Sequence, residues 1–269
     1  MKLLALFAAL CLPVAAQQTV RVLSYNIRHG EGIDGRIDLP RIAAIIKSVD
    51  PDVVALQEVD IRTRRSGGVD QLLELARLTG LQPVFGRTIP HQGGLYGNAV
   101  LSRLPVNGFF NHVLPGKEPR GVVQAMFDPL PAASGAAFDL LCTHLDLNEP
   151  DRLAAVARIG RIANDRPEAR PMVLAGDMNA VPGSKPIQAL LNDWTPAQGA
   201  QPLLTSPSSN PRRQIDYIFV RPAARWRVVE SRVLDEPVAS DHRPVFAVLE
   251  LLPESGSPAP GQSAPLEPR

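Results

Sequence analysis

The sequence predicts an α/β fold in which two β-sheets pack face to face with helices on the outside. Nine short apolar segments have the character of strands, whereas only three segments have the apolar spacing of a helix. The helices also do not alternate strictly with the strands, which argues against a simple parallel α/β fold. With 269 residues, of which 45% are hydrophobic, the chain is long enough to fill the core of such a domain.

The predicted strands are short runs of apolar and β-branched residues. They cover residues 19–27, 53–59, 98–103, 122–127, 138–145, 172–178, 215–220, 226–234 and 244–252. Three helices are predicted between them. Segment 38–49 has a proline near its start, segment 69–80 ends in glycine, and segment 149–166 repeats apolar residues at helical spacing.

The two ends of the chain differ in composition from the predicted domain at 17–252. Residues 1–16 place Lys2 before an apolar run that ends in small residues, which is typical of a secretory signal peptide and too short for a membrane span. A lipoprotein signal at Cys11 is less favoured because the bulky Leu10 precedes it. We therefore expect export to the periplasm or the medium. Segment 253–269 is rich in Pro, Ser and Gly, which predicts disorder.

Cleavage after residue 16 removes Lys2 and no acid, so 27 basic and 27 acidic residues remain. A chain without net charge lacks the broad positive field of a nonspecific nucleic-acid binder, and only 13 aromatic residues are present for base stacking. A nucleic-acid substrate is therefore less favoured. Only Cys142 would remain, which excludes an intramolecular disulfide in the mature chain. We expect a monomer with no transmembrane segment.

Polar side chains stand at the ends of several predicted strands. The clearest case is "PMVLAGDMNA" (171–180), where an apolar run leads into Asp177 and Asn179. Similar positions are held by Asn26, Glu58, His144, Asp216, Asp241 and His242. Each residue alone has a structural explanation, as a solvated turn or a polar group satisfied by the backbone. Together they predict one site at one edge of the sheets.

The residue types in this set suit metal-assisted chemistry. Asn26 and Glu58 offer the oxygen ligands that Mg²⁺ prefers, with Mn²⁺ or Ca²⁺ as alternatives, whereas the cysteines of a structural zinc site are missing. Two histidines and several carboxylates around such a cation are the groups that hydrolysis of a phosphate ester requires. No serine lies in a nucleophile-elbow pattern, and no glycine-rich loop ends in Gly-Lys-Ser/Thr, which argues against a serine esterase and a P-loop enzyme.

Seven motifs together resemble those of the endonuclease/exonuclease/phosphatase superfamily, which includes DNase I, sphingomyelinases and inositol-polyphosphate phosphatases. In chain order they are "SYNIRHG", "LQEVD", "YGNAVLSR", "THLDL", "GDMNA", "IDYIF" and "SDHRPV". The resemblance covers residues 20–250. It implies a four-layer α/β sandwich, of the DNase I-like type, that hydrolyses phosphate esters with a divalent metal.

The resemblance also implies roles for the site residues. Asn26 and Glu58 match the ligands of the cation, with Asp241 close enough to help. Asp177 matches the carboxylate that activates the attacking water, and Asn179 matches the residue that stabilises the attacked phosphoryl group.

The two histidines match groups that contact the scissile phosphate. His242 would be kept protonated by Asp216, since a paired carboxylate favours the charged imidazole. His144 matches the second phosphate-contacting histidine, at a place where the abasic-site endonuclease branch has tyrosine.

Further residues are candidates for substrate binding. Asn98 and Arg120 fall where members of the superfamily often line the phosphate site, and surface or turn roles are equally open for both. Arg65, with its neighbours Arg62 and Arg64, offers a clamp for an anionic head group, or else an ordinary solvated loop. No motif surrounds His91 or His112, and both are interpreted as structural or surface residues.

The substrate is less determined than the reaction. The leading prediction is a phosphodiester or phosphomonoester of the cell envelope, either a lipid head group or a nucleotide. An exported DNase I-like endonuclease is the main alternative. A non-catalytic binding protein on the same scaffold is a third alternative, against which stands the fact that every motif position is filled.

Overall fold

The computed structural model of the protein describes residues 18–128, 137–165, 170–199 and 201–253. The predicted signal peptide at 1–16 lies outside the described residues, as does the predicted tail apart from its first residue. Within these ranges the strands are β1 (Gln18–Asn26), β2 (Val53–Ile61), β3 (Gln82–His91), β4 (Gly94–Ser102), β5 (Gly108–Leu114), β6 (Arg120–Phe127), β7 (Phe138–His144), β8 (Met172–Asp177), β9 (Thr195–Pro196), β10 (Asp216–Arg221), β11 (Trp226–Val233) and β12 (Val245–Leu251). The helices are α1 (Leu39–Ser48), α2 (Gln71–Thr79), α3 (Glu149–Asn164) and α4 (Lys185–Leu190).

The strands form two six-stranded sheets. The first has the order β11-β12-β1-β2-β4-β3 and the second has the order β5-β6-β7-β8-β10-β9. Each sheet is antiparallel except for one parallel pair, β1 with β2 and β7 with β8, and a helix makes each parallel connection, α1 in the first sheet and α3 in the second. Both sheets are therefore mixed.

Side chains alternate between two apolar layers along the central strands. In β1, Val20 and Val22 enter a core shared by both sheets, whereas Leu23 and Tyr25 pack in a second core with helix α1. A third core joins the second sheet to α3 through residues such as Leu174. The layers are therefore helix, sheet, sheet and helix, and the predicted four-layer α/β sandwich is confirmed.

The strands that the sequence did not reveal are β3, β5 and β9, each at the edge of a sheet. Strand β3 contains two prolines, and a proline cannot donate a hydrogen bond to a sheet. Strand β5 leaves Phe109, Phe110 and Val113 exposed, so its side chains lack the alternation of a half-buried strand. The six-residue helix α4 was also missed. The nine predicted strands and three predicted helices are all present.

Local signals explain where the first two helices begin and end. The side chain of Asp38 accepts a hydrogen bond from the backbone nitrogen of Arg41 at 2.9 Å and caps α1. Asp70 caps α2 in the same way, and Gly80 ends α2 with a φ of 76°. Among the described residues, no helix combines the length and the apolar character needed to cross a membrane.

The parallel pairs bring strand ends from both sheets to one place. Asp177, the last residue of β8, lies in register with His144 at the end of β7 and with Asp216 at the start of the antiparallel strand β10. Asn26 ends β1 in the first sheet and reaches Asp177 across the inter-sheet boundary. The site therefore lies where the ends of the central strands of both sheets meet.

Candidate active site

Asp177 lies at the centre of this meeting point. Its Oδ2 atom is 3.1 Å from Nδ2 of Asn26, 3.5 Å from Nε2 of His144 and 3.8 Å from Nε2 of His242. The carboxylate is almost fully buried. One oxygen atom thus faces three of the residues that the sequence motifs selected.

The glycine before Asp177 allows β8 to lie close to β7. A Cβ atom at Gly176 would be 1.9 Å from the backbone oxygen of Thr143, far inside any permitted contact. Because Thr143 and Gly176 are register partners, this close approach sets Asp177 beside His144. A side chain at residue 176 would push the two strands apart.

Glu58 is directed into the site by an irregularity of β2. The pairing of β2 with β4 shifts between Leu56 and Val59, and Glu58 in this bulge has a φ of 61°, which is unusual for a residue other than glycine. Nδ2 of Asn26 donates to Oε1 of Glu58 at 3.0 Å as well as to Asp177. A single amide therefore links carboxylates from the two sheets.

Asp216 holds the ring of His242. Oδ2 of Asp216 accepts a hydrogen bond from Oγ1 of Thr205 at 2.5 Å and lies 2.9 Å from Nδ1 of His242. The hydroxyl of Ser240 donates to the backbone oxygen of Asn26 at 2.7 Å, which anchors the segment before β12 to the end of β1. The ring of His242 is thereby oriented with Nε2 towards Asp177.

The surroundings of His242 favour its charged form. Burial alone would lower the pKa of His242, but the charge and the hydrogen bond of Asp216, followed by the charges of Asp177 and Asp241, outweigh burial and raise this pKa to about 10. The imidazole is therefore protonated at neutral pH. This agrees with the role that the motif resemblance implies for the Asp216–His242 pair.

His144 has the opposite charge state. Burial, followed by the positive charges of Arg120 and His242, lowers the pKa of His144 well below its usual value, so the ring is neutral. Nη1 of Arg120 lies 3.2 Å from Nδ1 of His144. A guanidinium group can only donate, so Arg120 presents a donor to Nδ1, whereas Nε2 faces both the carboxylate of Asp177 and the amide nitrogen of Asn179.

Asn179 closes the site on the side of the second sheet. It has a φ of 46°, and its backbone nitrogen donates to Oδ1 of Asp177 at 2.9 Å. Its Nδ2 donates to the backbone oxygen of Leu145 at 2.9 Å and lies 3.0 Å from Nε2 of His144. The turn that follows β8 thus fixes the Asp177 carboxylate and holds an amide beside it.

The pKa of Asp177 is raised to about 7. Burial is the main cause and the negative charge of Asp216 adds to it, whereas the charge of His242 and the hydrogen bonds from Asn179 and Asn26 act in the opposite direction. A carboxylate with a pKa near neutrality can accept a proton from water more readily than an ordinary aspartate.

Two groups of side chains suit a divalent cation. Asn26 and Glu58 are oxygen donors of the kind that Mg²⁺ or Mn²⁺ prefers, as the sequence predicted. Ligand atoms of Asp177, Asp216 and His242 also lie within 4.8 Å of one another, and Oδ1 of Asp216 is buried with no hydrogen-bond partner in the part of the chain that the structure describes. A protonated imidazole has no free lone pair, however, so the high pKa of His242 disfavours metal binding by that ring. Oδ1 of Asn26 accepts from the backbone nitrogen of Arg28 while Nδ2 faces Glu58, so cation binding by the Asn26–Glu58 group stays a prediction.

The structure places Asp241 at the margin of the site. Its side chain is 46% exposed, and its Oδ2 lies 3.9 Å from Nε of Arg28. Oγ of Ser240, which donates to the backbone oxygen of Asn26, lies 3.4 Å from Oδ1 of Asp241. Participation of Asp241 in metal binding stays a prediction.

The predicted substrate-binding residues have partners of their own. Nδ2 of Asn98 donates to the backbone oxygen of Gly121 at 2.9 Å and so joins β4 to β6 across the sheets. Arg65 forms two hydrogen bonds, of 2.7 and 2.8 Å, with the buried carboxylate of Asp60. Arg120 contacts His144, so the structure brings Arg120 into the site, whereas Asn98 and Arg65 are tied to neighbouring elements. Substrate contacts by these three residues stay predictions.

Sequence reasoning missed several residues that support the site. Thr205 orients Asp216, and Ser240 anchors the segment before His242. No sequence motif contains Thr205, and Ser240 was not selected although it is part of "SDHRPV". Tyr96 stands directly in the weak motif "YGNAVLSR", where only Asn98 was selected. The aromatic residue in that motif was the available signal.

The protein is an α/β sandwich that carries carboxylates, amides and histidines at the meeting point of its two central sheets. A sequence model described as the Endonuclease/Exonuclease/phosphatase family matches residues 23–242. The chain belongs to this family, whose members include phosphatases and nucleases and commonly use divalent metals.

Several proteins resemble the chain over most of its length. The Escherichia coli K12 protein YbhP is 30% identical over 256 residues, which cover 89% of this chain and all of YbhP. An endonuclease/exonuclease/phosphatase from Beutenbergia cavernae, known from a crystal structure, is 28% identical to this chain, with a TM-score of 0.67. The match covers 88% of this chain and 72% of the Beutenbergia chain. A mannosyl-6-phosphatase from Bacteroides thetaiotaomicron is 20% identical, with a TM-score of 0.68, and the match covers 86% of this chain and 99% of the phosphatase. At this low identity, the similarity to the phosphatase shows a shared fold and nothing more.

Proposed function

We propose that this protein is a divalent-metal-dependent phosphoesterase in which Asp177 activates the attacking water. The observation that carries the proposal is the convergence of Asn26, His144 and His242 on one oxygen of Asp177, a carboxylate whose pKa is about 7. A base, a neutral donor and a positive donor therefore face the same small volume.

Each side chain of the site has its own role in the proposed hydrolysis. Asp177 takes a proton from water as the water oxygen bonds to phosphorus. The protonated His242 and the amide of Asn179 stabilise negative charge on the phosphoryl oxygens, and the neutral ring of His144 lies beside them. The bond from phosphorus to the ester oxygen breaks, and that oxygen leaves as an alcohol after taking up a proton from solvent.

Asn26 and Glu58 are the residues that would hold the cation. When bound, a Mg²⁺ or Mn²⁺ ion supplies positive charge that neutralises the phosphate oxygens. The link from Nδ2 of Asn26 to both carboxylates keeps Glu58 and Asp177 on opposite sides of one amide. The cation site and the base are therefore adjacent, as metal-assisted attack by water requires.

We propose a substrate in the cell envelope, a phosphodiester or phosphomonoester of a lipid head group or a nucleotide, reached by an exported monomeric enzyme. Charge pairing supports a small ester over nucleic acid. Arg28 lies near Asp241, Arg65 is paired with Asp60, and Arg120 is paired with Glu118. These pairs offset much of the positive charge that a phosphate backbone would require. An exported endonuclease is the second candidate, because the family includes nucleases and the cation itself adds positive charge.

A substrate panel tests the proposal. The purified chain without residues 1–16 is assayed with Mg²⁺ or Mn²⁺ on bis-p-nitrophenyl phosphate, p-nitrophenyl phosphate, supercoiled plasmid DNA and lipid phosphoesters. Asp177→Asn should lower kcat by roughly 10²- to 10⁴-fold, since it removes the base but keeps an oxygen that can accept from Asn179. Asp193→Asn, an exposed site, is the matched control.

Three results would overturn parts of the proposal. Turnover retained in Asp177→Asn would remove the base assignment. Plasmid nicking that exceeds hydrolysis of every small ester would favour the endonuclease. Failure of the wild-type protein on all esters, with metal bound, would favour a non-catalytic binding role.

A further inference from the structure

A cavity of about 150 Å³ lies beside the candidate active site. Its lining, called here the hairpin pocket, consists of Arg65, Ile89, His91, Tyr96 and Glu118. Ile89 and His91 belong to β3 and Tyr96 to β4, so the pocket is formed by the β3–β4 hairpin, the loop after β2 and the segment before β6. Arg65 is a predicted substrate-binding residue, and none of the five is among the groups proposed to act on water or phosphorus at Asp177.

Two contacts connect the hairpin pocket to the catalytic groups. Oε2 of Glu118 lies 3.2 Å from Nη2 of Arg120, and Nη1 of the same guanidinium lies 3.2 Å from His144. Tyr96 is the register partner of Asp60, two residues beyond Glu58 on β2. A group in the pocket is therefore close enough to be part of a substrate whose phosphate lies at the active site.

The charges of the pocket are already balanced. Arg65 is paired with Asp60 at 2.7 Å, and Glu118 with Arg120 at 3.2 Å. A second phosphate would meet the carboxylate of Glu118 without an unpaired cation to compensate. This arrangement disfavours a polyphosphate as the occupant.

The polar atoms of the pocket both donate and accept hydrogen bonds. Glu118 is an acceptor, and Nε2 of His91 is buried without a hydrogen-bond partner among the described residues. Burial, followed by the charge of Glu58, raises the pKa of Tyr96, so its hydroxyl stays protonated and can donate or accept. The guanidinium of Arg65 lies 5.4 Å from the centre of the Tyr96 ring. Such a lining suits hydroxyl groups, each of which donates and accepts, better than an acyl chain.

The volume favours a small occupant. The cavity measures about 150 Å³ and is partly open to solvent. This space suits one six-membered ring and is below the roughly 300 Å³ at which pockets for larger ligands begin.

We propose that the hairpin pocket binds a polyhydroxylated ring, a sugar or a cyclitol, that forms the alcohol part of the phosphate ester. This inference rests on the proposed hydrolysis at Asp177 and specifies the leaving group. Water adds to phosphorus, the bond to the ring-borne oxygen breaks, and the ring leaves the pocket as the free alcohol with one added proton. The hydroxyls of the ring replace the missing partner of His91 Nε2 and bond to Tyr96 and Glu118.

A pair of matched esters tests the proposal. Glucose 6-phosphate and cyclohexylmethyl phosphate share a six-membered ring and a CH₂–O–P linkage but differ in the hydroxyl groups. The readout is the ratio of their kcat/KM values, because a change in the phosphate chemistry affects both esters and cancels. We expect the wild-type ratio to favour glucose 6-phosphate by at least about ten-fold.

Variants of the pocket should reduce this ratio. Tyr96→Phe and His91→Phe each remove a polar partner but keep a ring, and each should lower the ratio about five-fold, the effect of one net hydrogen bond. Glu230→Gln, on the exposed strand β11, is the control and should keep the wild-type ratio. A wild-type ratio within two-fold of one, or pocket variants with the wild-type ratio, would overturn the proposal.

A binding measurement separates this inference from the proposed function. Saturation-transfer difference NMR with glucose 6-phosphate and metal-free protein should show transfer to the ring protons, and Tyr96→Ala should abolish it. If no ester is hydrolysed but transfer occurs, the phosphoesterase proposal fails and the ring site stands. If esters are hydrolysed but transfer is absent, the ring site fails alone.

Discussion

Nδ1 of His242 lies 2.9 Å from Oδ2 of Asp216, and this contact separates the two histidines of the site into a charged and a neutral ring. Both rings are buried, so burial opposes the charge of each. The carboxylate of Asp216 raises the pKa of His242 by more than burial lowers it. The guanidinium of Arg120 adds to the effect of burial and lowers the pKa of His144, so that ring stays neutral. One ring thus supplies positive charge, and the other is a neutral imidazole.

Asp216→Asn should lower the pKa of His242 from about 10, because burial is then opposed only by the charges of Asp177 and Asp241. In the wild type the proton on His242 stabilises the fold. This contribution is complete below the ordinary histidine pKa of about 6.5 and is lost as the pH rises through about 10. NMR titration of the metal-free proteins measures the pKa directly. The alkaline limb of the pH–rate profile should also move to lower pH, and an unchanged His242 titration would contradict the charge assignment.

Arg120→Met should free Nδ1 of His144 and raise the pKa of that ring, because the nearby positive charge is removed. If Arg120 acts by fixing the tautomer of His144, kcat should fall roughly ten- to hundred-fold with little change in KM. Long-range ¹H–¹⁵N spectra show which ring nitrogen carries the proton. Arg77→Met on the exposed face of α2 is the control. An increase in KM with an unchanged tautomer would instead show that Arg120 binds the phosphate directly, as the sequence suggested.

Glu58→Gln should weaken Mg²⁺ binding at least about ten-fold, because a carboxylate is a better ligand for a hard cation than an amide oxygen. Isothermal titration of metal-free protein measures this affinity without any substrate. Asp216→Asn is the informative comparison, since its carboxylate belongs to the second group of potential ligands. If Asp216→Asn weakens Mg²⁺ binding and Glu58→Gln does not, the cation belongs to the Asp177–Asp216–His242 group.

Gly176→Ala should destabilise the protein by about 3 kcal/mol, since the added methyl group overlaps the backbone oxygen of Thr143 and overpacking at a rigid contact costs about this much. The shift of β8 away from β7 should also displace Asp177 and lower kcat. Urea unfolding gives the free energy of unfolding. Gly199→Ala is the control, because a Cβ atom at that glycine meets nothing within 4 Å. Equal free energies of unfolding for the two variants would show that β8 can move away from β7 without loss of stability.

The central strands and the helices that pack on them were predictable because their signals are local. A run of apolar residues such as 172–178 predicts a strand that is buried on both faces, and Gly80 indicates the end of a helix. The edge strands β3 and β5 carry prolines, polar residues and exposed aromatics, so their strand character depends on pairing partners rather than on their own pattern. Residues at strand ends, such as Asn26 and Asp177, stood out because a polar side chain after a buried run needs a partner.

The fold class, the family motifs and most of the catalytic candidates could therefore be predicted from the sequence alone. The charge states of these residues and the shape of the hairpin pocket depend on the tertiary structure. Asn26 and Asp177 are 151 residues apart in the chain and 3.1 Å apart in space. The pKa of a buried group depends on distances of this kind, and the pocket depends on how one hairpin lies against a loop, so neither can be read from a local stretch of residues.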